Sequence, residues 1–206
     1  MSTKIQVIFH SLHGHVYELA ESVADGAREI HDSEVELLQV AETLPAEVLE
    51  KMGAIETKKA FENVPVADPK RMAEADAIIL GSPTRYGSVT AQMRAFLDNT
   101  VGLWSSGALI GKVGSAFTST ASQHGGQETT LLTVATFFYH QGMLIAGVPY
   151  SVTELVNMDE ITGGTPYGAS TIAGPKGERK PTANELIIAR AQGRHVAQIA
   201  SKLKAT

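Results

Sequence analysis

The sequence predicts an α/β domain built on a five-stranded parallel sheet with helices on both faces. Three observations predict it. Short β-branched apolar runs alternate with segments of helical period. The 206 residues suit one domain with insertions rather than two domains. Loops rich in glycine and hydroxyl side chains follow the apolar runs, as expected where parallel strands open onto a ligand site.

The expected strands are Ile5 to His10, Glu34 to Val40, Ala77 to Gly81, Val113 to Ser119 and Met143 to Gly147. Between them, Val16, Leu19, Val23, Ala27 and Ile30 recur at helical spacing, as do Val89, Met93, Phe96 and Leu97. Each stripe is expected to pack on the sheet. The last helix is the best delimited. Pro181 precedes Thr182-Ala183-Asn184-Glu185, a capping box that supplies partners to orphan helical amides. Its expected buried face is Leu186, Ala189, Gly193, Val196, Ala200 and Leu203, and it reads as a plain core helix.

Three stretches exceed a minimal domain: Ala41 to Arg71, Asn99 to Gly111, and Val148 to Pro181. They read as insertions within a single domain over residues 1–206. The last lacks periodicity and is rich in Gly, Thr and Pro, so an irregular excursion is expected.

Composition excludes several classes of chemistry. With no cysteine, the chain has no thiolate ligand or cysteine nucleophile, and a cytoplasmic location is natural. A net charge of −5 without a long Lys/Arg cluster argues against a nucleic-acid surface. Apolar runs fall short of the ~18–20 residues of a membrane span, and Met1 to Lys4 shows no signal-peptide pattern. His10, His13 and His15 are close in sequence, but no carboxylate joins them locally, so no metal is expected.

The chemistry is expected in the loops after the strands. Ser11-Leu12-His13-Gly14-His15 leads from the first strand into Val16 and the first helix. A hydroxyl, a glycine and unpaired helical amides make an anion site. With no lysine or arginine adjacent in sequence, it suits a monophosphate. It matches neither standard nucleotide signature. Gly107 to Lys112 imitates a P-loop but is one residue short, and Val113 replaces the hydroxyl.

After the third strand comes Ser82-Pro83-Thr84-Arg85-Tyr86-Gly87-Ser88, and after the fourth Ser119-Thr120-Ala121-Ser122-Gln123-His124-Gly125-Gly126-Gln127. With strand order 2-1-3-4-5 the three loops meet at one sheet edge, giving a phosphate pocket beside a planar pocket with an aromatic wall. That combination describes a flavin mononucleotide site.

Four motifs then resemble the WrbA family of flavoproteins over nearly the whole chain: Ser82-Pro83-Thr84-Arg85-Tyr86-Gly87, Gly102-Leu103-Trp104-Ser105-Ser106-Gly107, Gly125-Gly126-Gln127-Glu128-Thr129-Thr130, and Gly163 to Ala169. The resemblance implies a flavodoxin-like fold, FMN, reduction of quinones with NADH or NADPH, and a homotetramer. It implies that Ser11, Leu12, His13, Gly14, His15 and Val16 form the phosphate loop, and that Thr84, Arg85 and Tyr86 line the isoalloxazine. Ser119, Thr120, Ala121, Ser122, Gln123 and Gly125 would lie beside it. His140 resembles a flavin-contacting histidine, and Trp104 a substrate-side tryptophan. Two departures stand out: His13 replaces an aromatic, and the loop over 119–126 is one residue longer.

Read without relatives, His140 at a helix end is an ordinary structural histidine, and Trp104 an aromatic plug between subunits. Arg85 would pair with a surface carboxylate and Tyr86 would anchor its loop. The alternatives to a quinone reductase are a flavodoxin-type one-electron carrier and a regulatory protein in which FMN is structural. No side chain is assigned as a catalytic acid or base, because the cofactor carries the chemistry.

Overall fold

The structure, a computed structural model, describes residues 2–205; Met1 and Thr206 of the expected domain lie outside the described residues. Four of the five expected strands form at nearly full length: β1 (Thr3–Phe9), β2 (Ser33–Gln39), β3 (Ala77–Pro83) and β4 (Val113–Thr120). The fifth, β5, shrinks to Leu144–Ile145, and an unexpected β6 forms over Ser170–Ile172. The order is β2-β1-β3-β4-β5, with β6 also on β4 and every pairing parallel. β5 pairs with Val113 and Gly114, whereas β6 pairs with Thr118 to Thr120. One edge position is therefore filled by two short segments. Two- and three-residue strands are too short to show a period of two.

Alternation along the strands divides the core between two faces. Val7, Phe9 and Phe117 pack with Leu19, Val23 and Val196 from α1 (His15–Arg28) and α7 (Ala183–Lys204). Ile8, Ile78 and Leu80 pack on the other face with Met93 of α4 (Ala91–Asp98) and Leu131 and Phe138 of α6 (Gln127–His140). α1 and α7 touch through glycine. A Cβ on Gly193 would stand 1.9 Å from the Val23 carbonyl oxygen, and one on Gly26 1.8 Å from that of Arg190.

α7 corrects its reading in two ways. Its buried face carries Glu185, Ile188, Gln192 and Ala197, while Leu203 is exposed. The capping box exists, but its Glu185 does more than cap. Fully buried, that carboxylate accepts from the Thr182 amide at 2.8 Å, Gly163 N at 2.8 Å, Ile172 N at 3.2 Å and Thr171 Oγ1 at 2.7 Å. It fastens both arms of the long excursion to the helix, and so the segment over 148–181 is ordered, with a 3₁₀ turn at Thr153–Val156 and β6.

The first insertion contains α2 (Ala46–Lys51), α3 (Ile55–Lys58) and two 3₁₀ turns; the second contains α5 (Val101–Ser106). Among the described residues, no helix is long and apolar enough to cross a membrane.

Candidate flavin site

The strand order reverses between β1 and β3, the place where open parallel sheets bind ligands beyond their strand ends. A cavity of about 350 Å³ opens there. The loop after β1 forms its floor. Gly14, at φ 86°, turns the chain into α1, and no side chain caps that helix. The first amides of α1 are thus left without side-chain partners at its positive end.

Two further groups have no partner. Ser11 and His15 are 2% and 5% exposed, yet Ser11 Oγ and His15 Nε2 make no hydrogen bond. Buried polar atoms normally find partners, so this pair marks a place for a ligand oxygen. Burial holds the His15 ring below the usual histidine range, with the nearby Lys180 charge acting in the same direction against Glu18 and the backbone of Gly177 and Arg179. Burial, then His15 and Arg85, also lowers His13.

The first insertion braces the loop from behind. Lys58 Nζ donates to the Ser11 carbonyl at 3.3 Å, and Thr57 Oγ1 to that of Leu12 at 3.4 Å. Lys58 also pairs with Glu42 at 3.1 Å. Glu42 further accepts from the Leu44 amide at 3.0 Å and Gln92 Nε2 at 2.7 Å. Burial alone would raise the Glu42 carboxyl, but these donors outweigh it and hold it at about 2. The expectation that no cation stands near the loop is corrected: Lys58 lies behind it, and Arg85 and Lys176 line the cavity. Separation in sequence concealed Lys58 and Lys176, whereas Arg85 was expected at the ring pocket. Nor is a carboxylate absent near the histidines, since Glu42 faces His10. Still, no group of three or more His, Cys, Asp or Glu among the described residues is placed to hold a metal ion.

The loops after β3 and β4 supply the walls. Pro83, Thr84 and Arg85 line the cavity, with Ser119, Thr120 and Ala121 beside them. Thr84 N donates to the Ser119 carbonyl at 2.9 Å, and Thr130 Oγ1 to Thr84 Oγ1 at 2.9 Å, so the walls are tied together. Beyond them, Arg85 and Ser88 exchange backbone hydrogen bonds around Tyr86 and Gly87, both at positive φ. For a tyrosine that conformation is strained. Tyr86 is fully exposed at the tip of this turn. It forms no wall of the cavity within one chain.

The remaining residues expected at the site divide. Leu12, His13 and Val16 line the cavity with Ser11 and His15. Ser122 and Gly125 form a turn next to it, with Gly125 N donating to the Ser122 carbonyl at 3.2 Å, and Gln123 lines a separate surface cavity with Thr165. Trp104 and His140 lie elsewhere. α6 begins after the carboxyl end of β4 and runs back over 14 residues, about 21 Å at helical rise. His140 therefore sits beside the amino-terminal edge of the sheet, where Leu144 N meets the Lys112 carbonyl just before β4. Trp104 on α5 is at the same edge, three-fifths exposed. Gln141 Nε2 donates to Thr100 Oγ1 at 3.1 Å and ties their elements together. In one chain, neither side chain belongs to the cavity. Sequence reasoning missed Met52 and the turn from Ala173 to Gly177, which complete the lining. Their insertions carried no periodic signal.

Comparison with known proteins identifies the chain's relatives. Residues 3–155 match the family described as NADPH-dependent FMN reductase. The chain belongs to that family. Among the chain's relatives, the Methanosarcina barkeri "NAD(P)H dehydrogenase (quinone)" is 60% identical over 97% of this chain and 98% of its own length. The Geobacter metallireducens protein of the same name is 56% identical over 98% and 99%. The WrbA-family membership read from the four motifs agrees with these relatives. Among solved structures, a flavodoxin, WrbA-like protein from Agrobacterium tumefaciens aligns with TM-score 0.63 and 24% identity over 98% of this chain and 99% of its own. An archaeal flavodoxin aligns at 0.62 and 21% over 97% and 99%. Those two likenesses bear on fold: the chain is flavodoxin-like.

Proposed function

We propose that this FMN reductase family member is an FMN-dependent NAD(P)H:quinone oxidoreductase. The observation that carries the reading is the floor of the cavity, where two buried unpartnered polar atoms stand beside the uncapped start of α1. The donor set fits a phosphate monoester, because amides and a hydroxyl donate to its oxygens. The relatives' name, NAD(P)H dehydrogenase (quinone), supplies the reaction class.

In this reading Ser11 to Val16 hold the phosphate. Thr84 and Arg85 with Ser119, Thr120 and Ala121 orient the ring system, and Ser122, Gln123 and Gly125 support its outer side. When bound, FMN accepts a hydride equivalent from NADH or NADPH and supplies two electrons to a quinone. The loops over 82–88 and 119–127 contain no Asp or Glu, and Arg85 lines the cavity. Positive charge there favours a negatively charged ligand.

Tyr86, Trp104 and His140 complete the site from neighbouring copies. Tyr86 points outward from the cavity rim, whereas Trp104 and His140 stand at the far edge, so a homotetramer brings the edges of different chains together. The absence of cysteine suits a cytoplasmic enzyme.

Apoprotein titrated with FMN should quench flavin fluorescence at one equivalent per chain, and riboflavin should bind more weakly. The loaded protein should turn over NADH with a simple benzoquinone, giving parallel double-reciprocal lines as nicotinamide and quinone occupy one slot in turn. Uptake of FMN with negligible quinone turnover would replace this reading with the carrier reading.

A further inference from the structure

Two of the cations near the phosphate loop are already committed to carboxylates. Lys58 is spent on Glu42 and the Ser11 carbonyl. Lys180 is spent on Glu18, at 2.5 Å, in the first turn of α1. Arg85, on the loop after β3, donates to the Thr84 carbonyl at 2.8 Å and lines the cavity as well. Lys176 lines the same cavity as Ser11 and His15 and takes part in no ion pair among the described residues.

Lys176 rides on a rigid turn. Ala173 N donates to the Thr120 carbonyl at 2.7 Å, Gly177 N to that of Gly174 at 3.1 Å, and Arg179 N to that of Ala173 at 2.9 Å. The Lys176 amide itself is fixed by Glu178 at 2.8 Å. Behind the turn, Arg179 Nη1 donates to the Ile172 carbonyl at 2.8 Å and meets buried Glu185 at 3.4 Å. The far side of the turn touches the phosphate loop, since a Cβ on Gly177 would stand 3.5 Å from His15 Cε1. The excursion thus holds one uncommitted ammonium beside two buried unpartnered polar atoms.

We propose that Lys176 supplies the counter-charge for the cofactor's phosphate and sets the chain's preference for a phosphorylated flavin. The proposal rests on the FMN reading above and adds to it a residue far away in sequence. The phosphate loop itself has no lysine or arginine, and burial lowers His13 and His15 from the usual histidine range. Glu18 would repel a phosphate at the start of α1, and Lys180 cancels that charge. Lys176 is the ammonium that the turn touching His15 brings to this cavity, and Arg85 adds its charge from the loop after β3. A charge-assisted contact to phosphate is about twice as strong as a neutral one.

The test is fluorescence titration of the apoprotein with FMN and riboflavin, for wild type, Lys176→Ala and Lys176→Arg. Lys176→Ala should weaken FMN binding about ten-fold, the weight of one charge-assisted contact, and leave riboflavin binding unchanged. Lys176→Arg should restore most of the loss. The side chain is exposed, so the thermal midpoint of the apoprotein should not move. If wild type prefers FMN and Lys176→Ala keeps the same preference, the Lys176 assignment falls while the phosphate site stands. If wild type binds riboflavin as tightly as FMN, both fall.

Discussion

His10 Nε2 lies 3.3 Å from Glu42 Oε2, joining the strand end that opens the phosphate loop to the insertion behind it. The imidazole is 2% exposed and its Nδ1 faces Thr90 Oγ1 at 3.1 Å. Burial pushes it down to about 4; Glu42 opposes that fall, and the charges of Lys58 and Arg85 assist it. The loop is thus held by a neutral histidine beside an ionised carboxylate.

Acid should therefore loosen this junction in two stages. A histidine whose folded pKa lies below its unfolded value binds fewer protons folded than unfolded. Stability is then complete above pH 6.5 and lost as pH falls toward about 4, a loss of about 3 kcal/mol at most. Glu42, depressed to about 2, contributes stability above its unfolded value and loses it as pH falls further. Urea midpoints of the apoprotein should fall steadily from pH 6.5 to 4. His10→Asn should flatten part of that slope, because His13, His15 and His195 are lowered too. An identical slope in the variant would show that His10 does not titrate as stated.

Ser11 should show a trade between stability and binding. Its hydroxyl is buried without a partner, which costs about 1–3 kcal/mol in the empty site. Ser11→Ala should leave the apoprotein as stable as wild type or stabilise it by about 1 kcal/mol. FMN affinity should fall about ten-fold, the value of one hydrogen bond to a charged oxygen. Chemical denaturation and flavin titration of the same two proteins check both signs. A variant less stable and unchanged in affinity would make Ser11 structural.

How much of this was legible follows from where each determinant resides. β3 announces itself because a strand buried on both faces must be apolar along its length, as Ile78-Ile79-Leu80 is, and β2, at the sheet edge, because Val35 and Leu37 alternate with polar residues. The anion loop alone reads equally well as an ordinary strand-to-helix turn, and it becomes legible because the loops after β3 and β4 converge on it. In the sequence Glu185 shows only as a cap, since its partners Gly163, Thr171 and Ile172 come from a segment without period. Met52, Lys58 and Lys176 reach the cavity region through insertions whose paths depend on tertiary packing. Trp104 and His140 were singled out through family resemblance, and chain geometry alone assigns them to the far edge of the sheet.

That far edge yields the last prediction. β4 spans eight residues from Val113 to Thr120, about 26 Å of extended chain. Trp104 and His140 lie beside its start, while Ser119 and Thr120 line the cavity at its end. If these two side chains serve quinone reduction, they do so at a neighbour's cofactor. Light scattering should give a homotetramer, and Trp104→Ala should lower kcat/KM for quinone while FMN affinity stays unchanged. The decisive measurement mixes two impaired proteins. Lys176→Glu, assayed at an FMN concentration that fills wild-type sites only, should have few loaded sites but an intact Trp104. Trp104→Ala should have loaded sites without their aromatic partner. After subunit exchange, mixed oligomers should contain loaded sites facing an intact Trp104, and activity should exceed the sum of the separate proteins. Complete exchange, followed by mass spectrometry, with activity no greater than that sum would place Trp104 outside the reaction or return its role to its own chain.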